Sequence, residues 1–185
     1  MRFLVLIALI VLNAMSAHAH EPKVVAPGSV EEIPFPGHTV HVLSGPGETP
    51  STTAVLELEV PPRTFGAPPH IHSLEDEHFY VLEGEVDFLS GDEVERASSG
   101  STVVLPRGHI HGFWNDTDRP ARLLLVVSPG EFAGFFDDVV ARIRAENAGD
   151  PATVGRLITE AAAERGCEIR MDKVPESAAH LLPRP

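Results

Sequence analysis

Gly66-Ala67-Pro68-Pro69-His70-Ile71-His72-Ser73-Leu74-Glu75-Asp76-Glu77-His78-Phe79-Tyr80-Val81-Leu82-Glu83-Gly84 and Gly100-Ser101-Thr102-Val103-Val104-Leu105-Pro106-Arg107-Gly108-His109-Ile110-His111-Gly112-Phe113-Trp114-Asn115 are the two segments whose reading decides the fold. Half of the ten histidines of the chain fall in them. Imidazoles at this density beside carboxylates point to a metal site. His70 and His72 are two residues apart, and a strand presents residues i and i+2 on one face. Glu77 opens an alternating run in which Glu77, Phe79 and Val81 share a face, with His78, Tyr80 and Leu82 on the other. His111 and Phe113 share a face of a later strand, which follows the Pro106-Arg107-Gly108 turn. Three imidazoles and one carboxylate gathered from three strands suit a divalent first-row metal with open positions.

These residues resemble the two signature motifs of the cupin superfamily. The first motif is His-x-His, four residues, Glu, six residues, Gly, which His70, His72, Glu77 and Gly84 fit. The second is Gly, five residues, Pro-x-Gly, two residues, His, three residues, Asn, which Gly100, Pro106, Gly108, His111 and Asn115 fit. One position departs: Gly66, the leading glycine of the first motif, stands closer to His70 than the pattern asks, so the turn before the ligands differs. The resemblance implies an all-β jelly-roll barrel, the double-stranded β-helix, with the metal inside. It makes His70, His72, Glu77 and His111 the ligands of one divalent transition metal, which Fe, Mn, Ni, Co, Cu or Zn would satisfy. The run Tyr80-Val81-Leu82-Glu83-Gly84-Glu85, followed later by a helical tail, is similar to the small bacterial quercetin-2,3-dioxygenase-like cupins. That resemblance implies a dioxygenase-type oxidoreductase acting on a small planar phenolic or enolic substrate, with Glu77 both ligand and catalytic base. A metal-dependent isomerase or lyase, or an exported cupin that binds without turnover, remains open at this point, because many activities share one fold and ligand set.

The neighbouring residues are assigned by parity. Phe79 and Phe113 fall on the ligand face and are the candidate substrate-pocket residues, within an apolar, partly aromatic cavity. His78 faces away from the ligands, and His109, at the start of its strand, reads as an exposed rim position. Glu75 rivals Glu77 for the carboxylate position, but the spacing to Gly84 favours Glu77. No Arg or Lys stands on the inward face of either motif, with Arg63 and Arg107 near the mouth the only exceptions to consider. A phosphorylated sugar or a dicarboxylate is therefore a poor fit, since anions call for such cations, and a planar, uncharged or weakly acidic organic substrate fits better.

Outside the motifs, residues 3–12 are wholly apolar after Arg2, and Ala17-His18-Ala19 places small residues where a signal peptidase reads. Residues 1–19 are expected to be a secretory signal peptide, leaving an exported, periplasmic or secreted chain that begins at His20. The net charge is −13, and loss of residues 1–19, where Arg2 alone is charged, makes it one unit more negative. Such a chain is a poor partner for nucleic acid or an anionic membrane surface. Its expected partner is a small-molecule substrate, and the cupin resemblance leaves a homodimer open. The one cysteine, Cys167, excludes an internal disulfide and reads as a packed thiol.

Residues 20–37, rich in Pro and Gly, read as an extended arm, and residues 38–130 as the barrel. Within the barrel, residues 39–43 and 52–60 are expected strands, and Ser90-Gly91-Asp92 is a hairpin turn. Residues 131–185 read as a helical extension. Phe132, Phe135, Phe136, Val139, Val140 and Ile143 recur at helical spacing, a stripe better read as core than as pocket lining. Asp150 caps a second helix with Pro151 at its first turn and Val154, Leu157, Ile158 and Ala161 inward. The tail beyond Met171 is expected to be loosely ordered.

Overall fold

Strict alternation of buried and open side chains over Ala54, Leu56, Leu58 and Val60, and again over Ala121, Leu123, Leu125 and Val127, drives the fold. A strand with one apolar face must bury it against a second sheet. The computed structural model describes residues 20–182. The expected signal peptide, residues 1–19, lies outside the described residues. The strands in chain order are β1 (Ile33–Phe35), β2 (His38–Ser44), β3 (Ala54–Val60), β4 (Thr64–His72), β5 (Asp76–Glu83), β6 (Glu85–Ser90), β7 (Glu93–Ser98), β8 (Thr102–Leu105), β9 (His111–Asn115), β10 (Ala121–Ser128) and β11 (Cys167–Ile169). Helices α1 (Gly134–Glu146) and α2 (Pro151–Ala163) stand between β10 and β11.

The strands form a six-stranded antiparallel sheet in the order β1-β2-β3-β10-β5-β8 and a five-stranded one in the order β11-β4-β9-β6-β7. Their inner faces meet in one core, where Phe79 of the first sheet lies 5.3 Å from both Phe88 and Phe113 of the second, centroid to centroid. This is the expected jelly roll with a C-terminal helix pair. Leu56, Leu58, Leu123 and Leu125 are fully buried, each contributing about 2 kcal/mol of apolar transfer.

The sheets recruit more chain than residues 38–130. Phe35 of the expected arm pairs with His38, and Cys167 of the expected helical extension pairs with His72. No turn precedes the ligands at Gly66. The strand β4 runs unbroken through Pro68 and Pro69, with its pairing to β9 shifted on either side of Ala67. Gly66 is needed for a different reason, because a Cβ there would run into the Phe113 ring. The tail beyond Met171 is packed, contrary to expectation. A 3₁₀ segment, Glu176–Leu181, buries Ala178 against Trp114 and Leu89 on the outer side of the five-stranded sheet.

The helices follow their sequence signals. The Asp150 carboxylate accepts from the Thr153 N–H at 2.9 Å, and Asn147 ends α1 in the left-handed conformation. Phe135, Phe136, Val139 and Val140 are buried by α1, and the Phe135 and Phe136 rings lie 5.5 and 5.1 Å from Phe35.

Asn115 binds the two sheets at one end. Its side-chain N–H groups donate to the Val60 and Arg119 carbonyls at 3.1 and 2.8 Å, and its Oδ1 accepts from the Thr117 N–H and hydroxyl at 3.0 and 2.7 Å. Because the residue is fully buried, Asn115→Ala is expected to cost about 3 kcal/mol, leaving two carbonyls short of donors. Urea denaturation of the two chains checks this, and a cost under about 1 kcal/mol would refute the assignment.

Candidate metal centre

Two paired strands of the five-stranded sheet and one strand of the facing sheet deliver the four polar residues. His70 and His72 end β4, Glu77 lies near the start of β5, and His111 begins β9, where it pairs with His70. All four are buried, and one nitrogen or oxygen of each lies within 4.8 Å of the others. Two ligand atoms about 2.1 Å from a common ion are at most ~4.2 Å apart, so the widest pair needs only about half an ångström of closure.

Hydrogen bonds fix which nitrogen of each ring faces inward. His70 Nδ1 donates to the Pro68 carbonyl at 2.8 Å, and His111 Nδ1 donates to the His109 carbonyl at 3.0 Å. His72 Nδ1 faces Glu75 Oε2 at 3.1 Å. Carbonyl and carboxylate oxygens only accept, so all three Nδ1 atoms carry hydrogen and leave the Nε2 atoms toward the centre. Nε2 of His72 and of His111 is buried without a hydrogen-bond partner. They stand 3.6 and 3.3 Å from the two Glu77 oxygens. Nitrogens left without a partner and facing a carboxylate at that distance are placed to share a positive species with it. A proton is a poor choice at His70: burial, then the neighbouring His111, takes it down to about 3. Burial by itself would raise the Glu77 carboxyl, but the close approach of His111 and then the other imidazoles prevail and hold it below the usual range, ionised. A neutral-imidazole, ionised-carboxylate set with orphaned inward nitrogens fits one divalent metal ion.

The site opens into a cavity of about 330 Å³ whose wall includes His70, Glu77, Phe79 and Phe113. Phe79 and Phe113 thus line it as the alternation implies. The stripe Phe132, Phe135 and Phe136 is buried, as expected, yet it also lines this cavity. Phe132 stands edge-on to His72 at 4.4 Å. The reading of the stripe as core alone is therefore corrected: the helical cover closes one side of the pocket. The half-exposed Met171, with Gly155 and Thr159 of α2, marks the mouth.

No Arg or Lys is among the lining residues. Arg107 is engaged by Asp76, whose carboxyl it pulls down strongly, and Arg63 by Asp116 and Asp118. His78 and His109 are exposed, as expected, although the His109 carbonyl orients His111. Glu75 is no ligand. It is 4% exposed and holds His72 from behind, a role its sequence position alone did not reveal. His38 is the residue that sequence reading passed over. Starting the strand at Thr39 left it out, whereas carrying the alternation back one residue puts it on the inner face with Val40.

Cys167 lies in the cavity wall on β11, and burial, then Glu77 and Glu75, pushes its thiol up to about 12. It is a thiol at neutral pH, since the reactive thiolate forms only as pH approaches that value. Iodoacetamide at pH 8 is expected to leave the folded chain unmodified and to alkylate it fully in denaturant, as intact-mass measurement would register.

Residues 56–127 match the family Cupin_2, described as "Cupin domain". The polyketide cyclase RemF from Streptomyces resistomycificus is similar in structure, at 28% identity and a TM-score of 0.51, over 58% of this chain and 79% of that one. A predicted oxalate decarboxylase from Thermotoga maritima is similar at 20% identity and the same TM-score of 0.51, over 57% of this chain and 97% of that one, a likeness of fold alone. No curated protein matches the sequence.

Proposed function

We propose that this chain, which carries a cupin domain, is a metal-dependent oxidoreductase of the dioxygenase type. It acts on a small, planar, uncharged phenolic or enolic substrate. The observation that carries the reading is a complete set of three imidazoles and a carboxylate opening onto an apolar, aromatic-walled cavity with no Arg or Lys in its lining. A divalent first-row ion held by His70, His72, Glu77 and His111 supplies Lewis acidity and, where redox-active, electron transfer to dioxygen. In the reaction proposed both oxygen atoms enter the product and the substrate itself, as it is oxidatively cleaved, supplies the four electrons, so no external reductant is needed. Glu77 is the one carboxylate in the cavity wall. As an ionised group, it accepts the proton of the substrate hydroxyl. Phe79 and Phe113 hold the ring flat beside it, and Phe132 and the α1 aromatics keep bulk water away. The proposed setting is outside the cytoplasm, in line with the leader-like residues 1–19.

The likeness to a polyketide cyclase favours a second reading, in which the same site promotes ring closure or isomerisation of an enolic substrate without oxygen. The two part on oxygen consumption. The purified full chain is expected to hold about one equivalent of a redox-active metal, lost in His111→Ala, and to take up oxygen with some member of a phenol and enol panel. Turnover without oxygen uptake would favour the cyclase-like reading, and no metal after reconstitution would end both.

Two residue-level outcomes follow from the hydrogen bonds. Glu75→Leu is expected to weaken metal binding about 10- to 100-fold, because His72 loses the acceptor that sets its ring; competition with a chelator measures it. Glu77→Gln is expected to keep part of the metal and lose turnover, and unchanged turnover would remove the proton-accepting role. Occupancy is expected to fall on acidification as pH approaches about 3, where His70 takes a proton, with Glu77 following at lower pH; dialysis from pH 7 to below pH 3 with metal analysis reads the trend.

A further inference from the structure

His38 is 5% exposed on the cavity wall, and neither of its ring nitrogens has a hydrogen-bond partner. It sits on β2 opposite Phe35, with ring centroids 5.2 Å apart, and meets Phe113 at 5.9 Å and Phe136 at 6.0 Å. A buried imidazole among three phenyl rings is unfavourable unless something completes its hydrogen bonds. The Gly66 carbonyl approaches it without reaching hydrogen-bond geometry, so at most one nitrogen has a prospective partner in the fold. The other has none except an occupant of the cavity.

We infer that His38 is a second polar anchor for the substrate: its imidazole hydrogen-bonds an oxygen of a neutral, planar aromatic molecule whose other end reaches the His70–His72–Glu77–His111 site. The inference deepens the proposed function and rests on its substrate class. His38 lines the same cavity as His70 and Glu77, and its ring meets that of Phe113, which also lines it. Phe113 follows His111 by two residues on β9, about 7 Å along a strand, which is the scale of a one- or two-ring aromatic. Burial takes His38 down to about 4, so it is neutral at neutral pH and offers one donor and one acceptor. A hydroxyl or carbonyl matches that pair, whereas a carboxylate or phosphate at His38 would have no Arg or Lys in the cavity wall to answer it.

The test uses 2-naphthol and naphthalene as probes, which share a ring system and differ in one hydroxyl. Equilibrium dialysis measures both against the full chain and against His111→Ala, each with and without His38→Phe, after metal content has been determined. The full chain is expected to prefer 2-naphthol by about tenfold, one well-made buried hydrogen bond. Adding His38→Phe is expected to remove about that factor in both backgrounds, and His38→Gln, which keeps a donor and an acceptor, to restore part of it. His38→Leu replaces His38→Phe if melting curves show the latter unfolded. An unchanged preference in both backgrounds, a loss confined to the metal-binding background, or no binding of either probe would overturn the inference. A chain that holds no metal yet loses its preference with His38 would sink the metal reading and leave this one standing.

Discussion

Three imidazoles and a carboxylate cannot be buried among phenyl rings unless each polar atom is answered, and much of the barrel is arranged around that requirement. Burial of polar groups without partners costs several kcal/mol. The chain answers the outward half of each imidazole locally. Pro68 and His109 offer carbonyls two residues away from the rings they hold, and Glu75 offers a carboxylate three residues from His72. The inward half is left unanswered at His72 and His111. The site is therefore preorganised for a cation in the sense that its ring tautomers and orientations are set by the strand ends, before anything is bound.

The same barrel explains why the cavity is apolar. Inward positions on β5 and β9 alternate between ligand and phenylalanine, so each ligand is followed two residues on by a ring, Glu77 by Phe79 and His111 by Phe113. The helices then add a third wall. Phe132 meets His72, and Phe135 and Phe136 lie on Phe35. The cover is held in place by covalent continuity with the sheets at both ends, since β10 leads into it and β11 pairs with β4 beside the ligands. Stability and chemistry thus share residues: the aromatics that form the core also define the occupant.

Much of this was legible in the sequence. Period-2 alternation located the strands, and a helical stripe followed by an Asp-Pro cap located α1 and α2, because these patterns arise from local geometry. The spacing of His70, His72, Glu77 and His111 brought together the groups that do converge. Glu75, His38 and the β11 strand were not legible as parts of the site. Glu75 works through a hydrogen bond to a ring whose direction depends on the β4 end. His38 sits at the first position of a strand, where an assignment that starts one residue late changes its face. Cys167–Ile169 is too short to announce itself and is a strand only because β4 offers it an edge. The packed tail depends in the same way on Trp114 and Leu89 being there to receive Ala178.

By itself the sequence determined an all-β sandwich or barrel and the apolar parity of Phe79 and Phe113, since these follow from alternation along single strands, while the resemblance of its two motifs to those of cupins marked the jelly roll and the four convergent polar residues. Tertiary structure alone decided that the Phe132–Phe136 stripe faces the cavity and that His38 joins it with its nitrogens unpartnered. It also decided that Arg63 and Arg107 are tied up in ion pairs away from it. The reason is physical. A spacing rule says which way a side chain leaves its own strand or helix, whereas what it meets there depends on elements distant in sequence, and only their packing brings them together.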